Sequence, residues 1–198
     1  AGHLLEDGSS RSLEDRSRES VGVLEAALAN ARADPEVGAG HLDLNLADAF
    51  YGYVQCALGR PHDGMRRMLD SVAAVRAHHT DDNYVIPLSY QIIYNCLYEL
   101  NEGETAISYL LRGYEMAERS DTTQFALALD AEGIASFMCG VQRTDECVRW
   151  AEKAASHTTR MPPGEMQATR AASVRPLHVR ALMLSGKTEQ AETQAQQW

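Results

Sequence analysis

The sequence predicts an all-α fold built from helical hairpins. Three observations carry this. Alanine-rich segments with apolar residues at 3.6-residue spacing run through the chain, separated by short turns with Gly or Pro. Strand signals are weak, because β-branched runs are short and no Asn-Gly or Asp-Gly turn joins alternating segments. Finally, a small residue early in the second helix of a hairpin recurs as Gly64, Ala106, Cys147 and Ala191, at spacings of 42, 41 and 44 residues. A small side chain suits a place where two helices must lie close together. Two helices per period of about 42 is the signature of a helical solenoid.

Nine helices follow in order, over 12–33, 43–58, 61–79, 84–100, 104–119, 122–139, 144–158, 165–185 and 187–198. Pro61 opens the third, where its missing N–H costs nothing. Asp121 with Gln124 reads as a capping box for the sixth. Gly59, Gly103, Gly140 and Gly186 each fall between two helices, as left-handed C-caps would. Stepping back 42 from Gly64 reaches Gly22 in VGVLEAALANA, the second helix of an incomplete first repeat. Pro176 inside the eighth helix predicts a kink or a split. Residues 1–11 read as a flexible lead-in, and 12–198 as one repeat domain. The final AETQAQQW is still helical and uncapped, so the sequence predicts a further, output domain beyond it.

The formal charge of −10 speaks against nucleic acid as a partner, since phosphates call for a basic stripe. The charge is uneven: Glu99 to Glu132 holds eight acidic residues against Arg112 and Arg119, whereas Arg143 to Lys187 holds eight basic against four acidic. Such asymmetry steers a partner or belongs to unrelated solvated faces. No apolar run approaches a membrane span and no signal pattern opens the chain, so a cytoplasmic protein is expected. Cys56, Cys96, Cys139 and Cys147 form no C-x-x-C pair and read as reduced, half-buried apolar residues without zinc spacing.

The hairpin phrases NEGETAISYLL and QRTDECVRWA resemble the tetratricopeptide repeat. Its small second-helix positions correspond to Ala106, Leu110 and Gly113, then to Cys147, Ala151 and Ala154, and at the end to Ala191 and Ala195. Gly52 in FYGYVQ matches the first helix's small residue. The period is about eight residues longer than the usual 34, and the tryptophan and proline landmarks are missing. It is similar in this to the long repeats ahead of diguanylate cyclase domains and in LuxR-type activators; HEAT-type repeats share the period. The resemblance implies a right-handed α-solenoid whose first helices line a groove. Its groove positions fall on Ala49, Tyr53 and Cys56; Gln91, Asn95 and Tyr98; Glu132, Ser136 and Cys139; and Pro176, Arg180 and Met183. Amides at Gln91 and Asn95 suit a peptide backbone, Tyr53 and Tyr98 offer rigid contact, and Arg180 suits a carboxylate. Glu132 and Ser136 complete the candidate site. A groove without a ligand, or one filled by a neighbouring helix, is the alternative.

No nucleophile elbow, phosphate loop or H-E-x-x-H motif is present. The run His78-His79-Thr80-Asp81-Asp82 holds four metal-ligand types, but neighbours on a helix diverge by about 100°. It reads as a helix end, with His favouring the C-terminus and Asp capping the next helix. Glu102 and Glu104 read as an exposed acidic turn. The aromatics Tyr90, Tyr94, Tyr109, Tyr114, Phe125, Phe137 and Trp150 read as core, and Met65, Met68 and Leu69 as a packing stripe. The expected function is non-catalytic protein or peptide binding, with no cofactor, no membrane and no nucleic acid bound by this chain. Self-association through an exposed end is a second mode, and the setting is a bacterial signalling protein. The alternatives are a metal-dependent enzyme around His78, His79, Asp81 and Asp82, and a structural dimerisation module.

Overall fold

A computed structural model describes residues 13–34, 37–38, 40–81, 83–120 and 122–196, with side chains from residue 21 onward. The predicted lead-in, Asp82, Asp121 and Trp198 lie outside the described residues. Nine helices and no strand occur among them: α1 (Leu13–Ala33), α2 (Leu42–Ala57), α3 (Pro61–His78), α4 (Val85–Glu99), α5 (Gly103–Arg119), α6 (Gln124–Gly140), α7 (Thr144–Arg160), α8 (Glu165–Leu184) and α9 (Thr188–Gln196). Every described boundary falls within two residues of the sequence expectation. The chain divides into two compact units, Ala1–His79 and Thr80–Trp198.

Within the first unit α2 pairs with α3, and α1 packs on α2. In the second, α4 pairs with α5, α6 with α7 and α8 with α9, while α6 and α7 both pack on α8. The core of this unit gathers Leu110, Tyr114, Ala131, Ile134, Met138, Cys147 and Ala154, all nearly inaccessible. Val174, Ala181 and Leu182 of α8 join it.

The four turns joining α2–α3, α4–α5, α6–α7 and α8–α9 are alike atom for atom. Positive φ occurs at Gly59 (80°), Asn101 (61°), Gln142 (60°) and Gly186 (74°). The next residue's N–H then reaches five residues back: Arg60 to Gln55, Glu102 to Leu97, Arg143 to Met138 and Lys187 to Leu182, each at 2.9 Å. This is the Schellman closure, which pairs carbonyls that a helix end leaves open. Its spacings of 42, 41 and 44 repeat those of the small residues. Two of the expected caps are corrected. Gly103 opens α5 and Gly140 closes α6 in helical geometry, and the left-handed residues of those turns are Asn101 and Gln142. Asparagine tolerates that region better than glutamine does.

The capping expectations also shift. Thr123 caps α6, its hydroxyl accepting from Ala126 N–H at 3.3 Å, two residues after Asp121. Asn83 caps α4: its side-chain Oδ1 accepts from Val85 and Ile86 N–H at 3.0 and 3.2 Å. Pro176 does not split α8, which runs unbroken from Glu165 to Leu184. Pro176 has no N–H for the Ala172 carbonyl, and Ala172 is an exposed residue.

The cysteine expectation is overturned. Cys139, ending α6, and Cys147, in the first turn of α7, form a disulfide with Cα atoms 4.9 Å apart. No described cysteine is a free thiol, and all four are buried. An eight-residue separation looked uninformative in the sequence, yet the tight turn folds it into bonding distance. Closing so short a loop is worth about 2 kcal/mol in the chain-entropy account. Replacing Cys139 and Cys147 together with alanine is therefore expected to lower the urea midpoint of the second unit. An identical midpoint in that variant removes this staple from the account.

Candidate functional site

The first helix of each hairpin carries the predicted site, and the equivalent positions sort by accessibility. The innermost row, fifteen residues before the small one, holds Ala49, Gln91, Glu132 and Pro176. Ala49 is fully buried, Gln91 and Glu132 are half-buried, and Pro176 is exposed. The row four residues later holds Tyr53, Asn95, Ser136 and Arg180; Tyr53 is half-buried and the other three are exposed. The last row divides. Tyr98 and Met183 are 55% and 61% exposed, whereas Cys56 and Cys139 are buried. Cys139 is held by its disulfide, so Ala49, Cys56 and Cys139 face inward and leave the expected groove.

On α4 the site is open. Tyr98 stands beside Tyr94, ring centroids 5.6 Å apart and tilted by 34°. Asn95 lies one turn before Tyr98 and Gln91 one turn earlier, so amide and phenol groups share one helix face. Tyr94, expected in the core, is only partly buried and flanks this face.

On α6 and α8 the expectation needs revision. The Glu132 carboxylate accepts from Arg170 Nη1 at 2.6 Å and from the Ser173 hydroxyl at 3.3 Å. Arg170 also lies over the Phe125 ring, 5.5 Å from its centroid. Glu132 therefore joins two helices, and a ligand reaching it must displace a charge-assisted bond. Arg170 and Ser173 were missed, since a pair 38 residues apart has no local signature. Ser136 and Arg180 remain exposed.

A second polar network sits where α5 and α7 meet. The buried Tyr114 hydroxyl lies 2.8 Å from His157 Nε2 and 3.0 Å from Glu118, and His157 Nδ1 lies 2.9 Å from Gln124 Oε1. Trp150 packs edge-on to Tyr114 at 4.9 Å, and Lys153 Nζ pairs with Glu118 at 3.2 Å above both rings. Burial raises the Tyr114 phenol and lowers the His157 imidazole, with Arg160 adding to the latter. Both are neutral groups that knit α5, α6 and α7.

In the first unit a cleft of about 800 Å³ lies among α1, α2 and α3. Asp48 forms its centre: Arg67 donates twice to Oδ1, at 3.0 and 2.7 Å, and Arg32 pairs with Oδ2. Arg67 stacks over Tyr51 at 4.2 Å, and the Tyr51 hydroxyl bonds Glu25 and accepts from the Gln55 amide. Sequence reading missed this cluster too. Its members look like ordinary helix-surface charges until three helices converge.

The run at His78 spreads apart. His78 Nδ1 turns back to the Ala74 carbonyl of its own helix at 2.9 Å, while His79 Nε2 meets the Gly40 carbonyl at 2.7 Å. No group of three His, Cys, Asp or Glu converges among the described residues. Likewise, no described helix is long and apolar enough to cross a membrane.

Fold and site together define a class only, an all-helical protein of repeated hairpins with an exposed amide- and tyrosine-bearing face. Comparison with protein-family models and with curated proteins returns no match.

Proposed function

We propose that the chain is a tetratricopeptide-like repeat domain that binds an extended peptide or protein segment along the exposed face of its first helices. One observation supports this most. Successive hairpins with the same turn expose a polar residue at the same place, as Asn95, Ser136 and Arg180. Such a row offers donors and acceptors at regular intervals, which suits a peptide backbone. Tyr98 and Tyr94 add contact area with little rotamer entropy to lose. In this reading the hairpins form a right-handed solenoid and serve a bacterial signalling protein as its sensory part. The cytoplasmic setting fits that role, but the Cys139–Cys147 bond pulls against it, since reducing compartments keep thiols apart.

Selection of displayed random peptides against the whole chain tests the reading. Enriched peptides are expected to bind at least about tenfold more weakly to the Asn95→Ala/Tyr98→Ala variant. No enrichment, or equal binding to the variant, rejects it.

A further inference from the structure

The cleft among α1, α2 and α3 lies where the second unit keeps a dry core. Counted from the small residue of each hairpin, Asp48 and Gln55 take the places of Tyr90 and Leu97 on α4 and of Ala131 and Met138 on α6. Those four are buried hydrophobic side chains. Ser71 on α3 likewise stands where Gly113 and Ala154 are buried, and Asn45 where Pro87 and Ala128 are. Asn45, Asp48, Gln55 and Ser71 are themselves at most 7% exposed. A buried polar group is less stable there than an apolar one that packs as well. Breaches of this kind gather at functional sites. At about 800 Å³ the cleft has the size of a small-molecule pocket.

Arginine sets the charge of the cleft. Arg32, Arg60, Arg66 and Arg67 line it against Asp48, Asp63 and Asp70. Arg66 is taken by Asp63 at 3.0 Å on the exposed rim, and Asp70 is exposed. Glu25 is engaged by the Tyr51 hydroxyl. Asp48 is shared between Arg67 and Arg32, and two guanidinium groups on one carboxylate leave a positive charge over. Each guanidinium also carries more N–H donors than that carboxylate accepts. The Asp48 side chain is 10% exposed, whereas those of Arg32 and Arg67 are 48% and 29% exposed, so their surplus donors are open to the cleft. Asp48 and the Tyr51 ring hold Arg67 in place before any ligand arrives, which lowers the entropy lost on binding. The Arg60 side chain, exposed at the rim, has no ion-pair partner among the described residues.

We propose that this cleft binds a small molecule through an oxyanion, a phosphate or carboxylate group, received by Arg67 and Arg32 at the Asp48 centre. Arg60 draws the same charge at the rim. Val37, Leu44 and Ala74 line the place of the ligand's uncharged body. The site shares no residue with the face that carries Asn95 and Tyr98.

Calorimetric titration of the full chain with pyrophosphate and, separately, with citrate distinguishes the two sources of that charge. At about 0.15 M NaCl, where diffuse attraction is screened, at least one anion is expected to bind saturably and one per chain. A Kd of about 1 mM or below is expected, and the tighter anion names the group. Arg67→Gln should weaken binding at least about tenfold, through loss of the oriented fork. Arg60→Gln changes only an exposed rim side chain and should weaken it about threefold. Arg175→Gln, equally exposed but on the second unit, should leave the titration unchanged. Hydrogen exchange across 42–78 checks that the first unit stays folded; if Arg67→Gln unfolds it, Arg60→Gln and Arg32→Gln decide. The proposal is overturned if neither anion saturates, or if the cleft variants that fold all bind as the parent does. It is overturned equally if Arg175→Gln weakens binding as much as they do, since that marks attraction to any cationic surface.

Discussion

Replacing Asp130 with asparagine is expected to stabilise the second unit at pH 8 and to flatten its dependence on pH. Asp130 lies on α6, 5% exposed, and its Oδ1 has no hydrogen-bond partner. Burial alone pushes its carboxyl up to about 7 from 3.8. The sign follows from which state holds the proton. Below about pH 4 both states are protonated, and the buried acid carries no charge penalty. Between pH 4 and 7 the unfolded chain releases the proton while the folded one retains it, so stability falls as pH rises. Above 7 the penalty is fully in place. A shift of this size corresponds to at most ~4 kcal/mol, and a gain of about 2 kcal/mol is expected after relaxation around the amide. His157 works in the other direction: burial lowers its imidazole below 6.5, so its contribution is lost as pH falls below that value. Urea unfolding at pH 5 and pH 8, followed through Trp150 fluorescence, separates the two. If the asparagine variant is weaker than the parent at pH 8, Asp130 is not an uncompensated charge. The equivalent positions in the neighbouring hairpins are Ser89, whose buried hydroxyl also lacks a partner, and Val174.

The second large effect concerns Gly64. Alanine stands at the equivalent place in two other hairpins and forms helices better by about 1 kcal/mol. Even so, Gly64→Ala is expected to destabilise the first unit by about 2–3 kcal/mol. A Cβ there would lie 2.3 Å from the Gly52 carbonyl oxygen and 2.7 Å from Cys56 Sγ. One at Gly52 would meet the Gly64 carbonyl oxygen and Met68 Cγ, both at 2.7 Å. The obstacle is mostly backbone, which no side-chain rotation relieves. Hydrogen exchange should therefore speed up across 42–78 and stay unchanged across α6 and α7. Unaltered or slower exchange in 42–78 would show that α2 and α3 have room to separate.

These two sites mark where the sequence is legible. Gly64 announced itself, because a small residue recurring at 42, 41 and 44 is a one-dimensional trace of close helix approach. The helices were legible for a similar reason, since apolar spacing along one strand of chain reports which face is buried. Asn95, Ser136 and Arg180 came instead from the resemblance to the tetratricopeptide repeat, and all three are exposed. Asp130 gave no sign, because its burial depends on how α6 meets its neighbours.

The sequence by itself determined the helical class, the hairpin period and the approximate ends of every element. Those properties depend on residues within a few positions of one another. Only the tertiary structure decided that Cys139 and Cys147 are joined, that Glu132 is taken by Arg170, and that Asp48 holds two arginines. Each of these depends on which helix faces lie side by side.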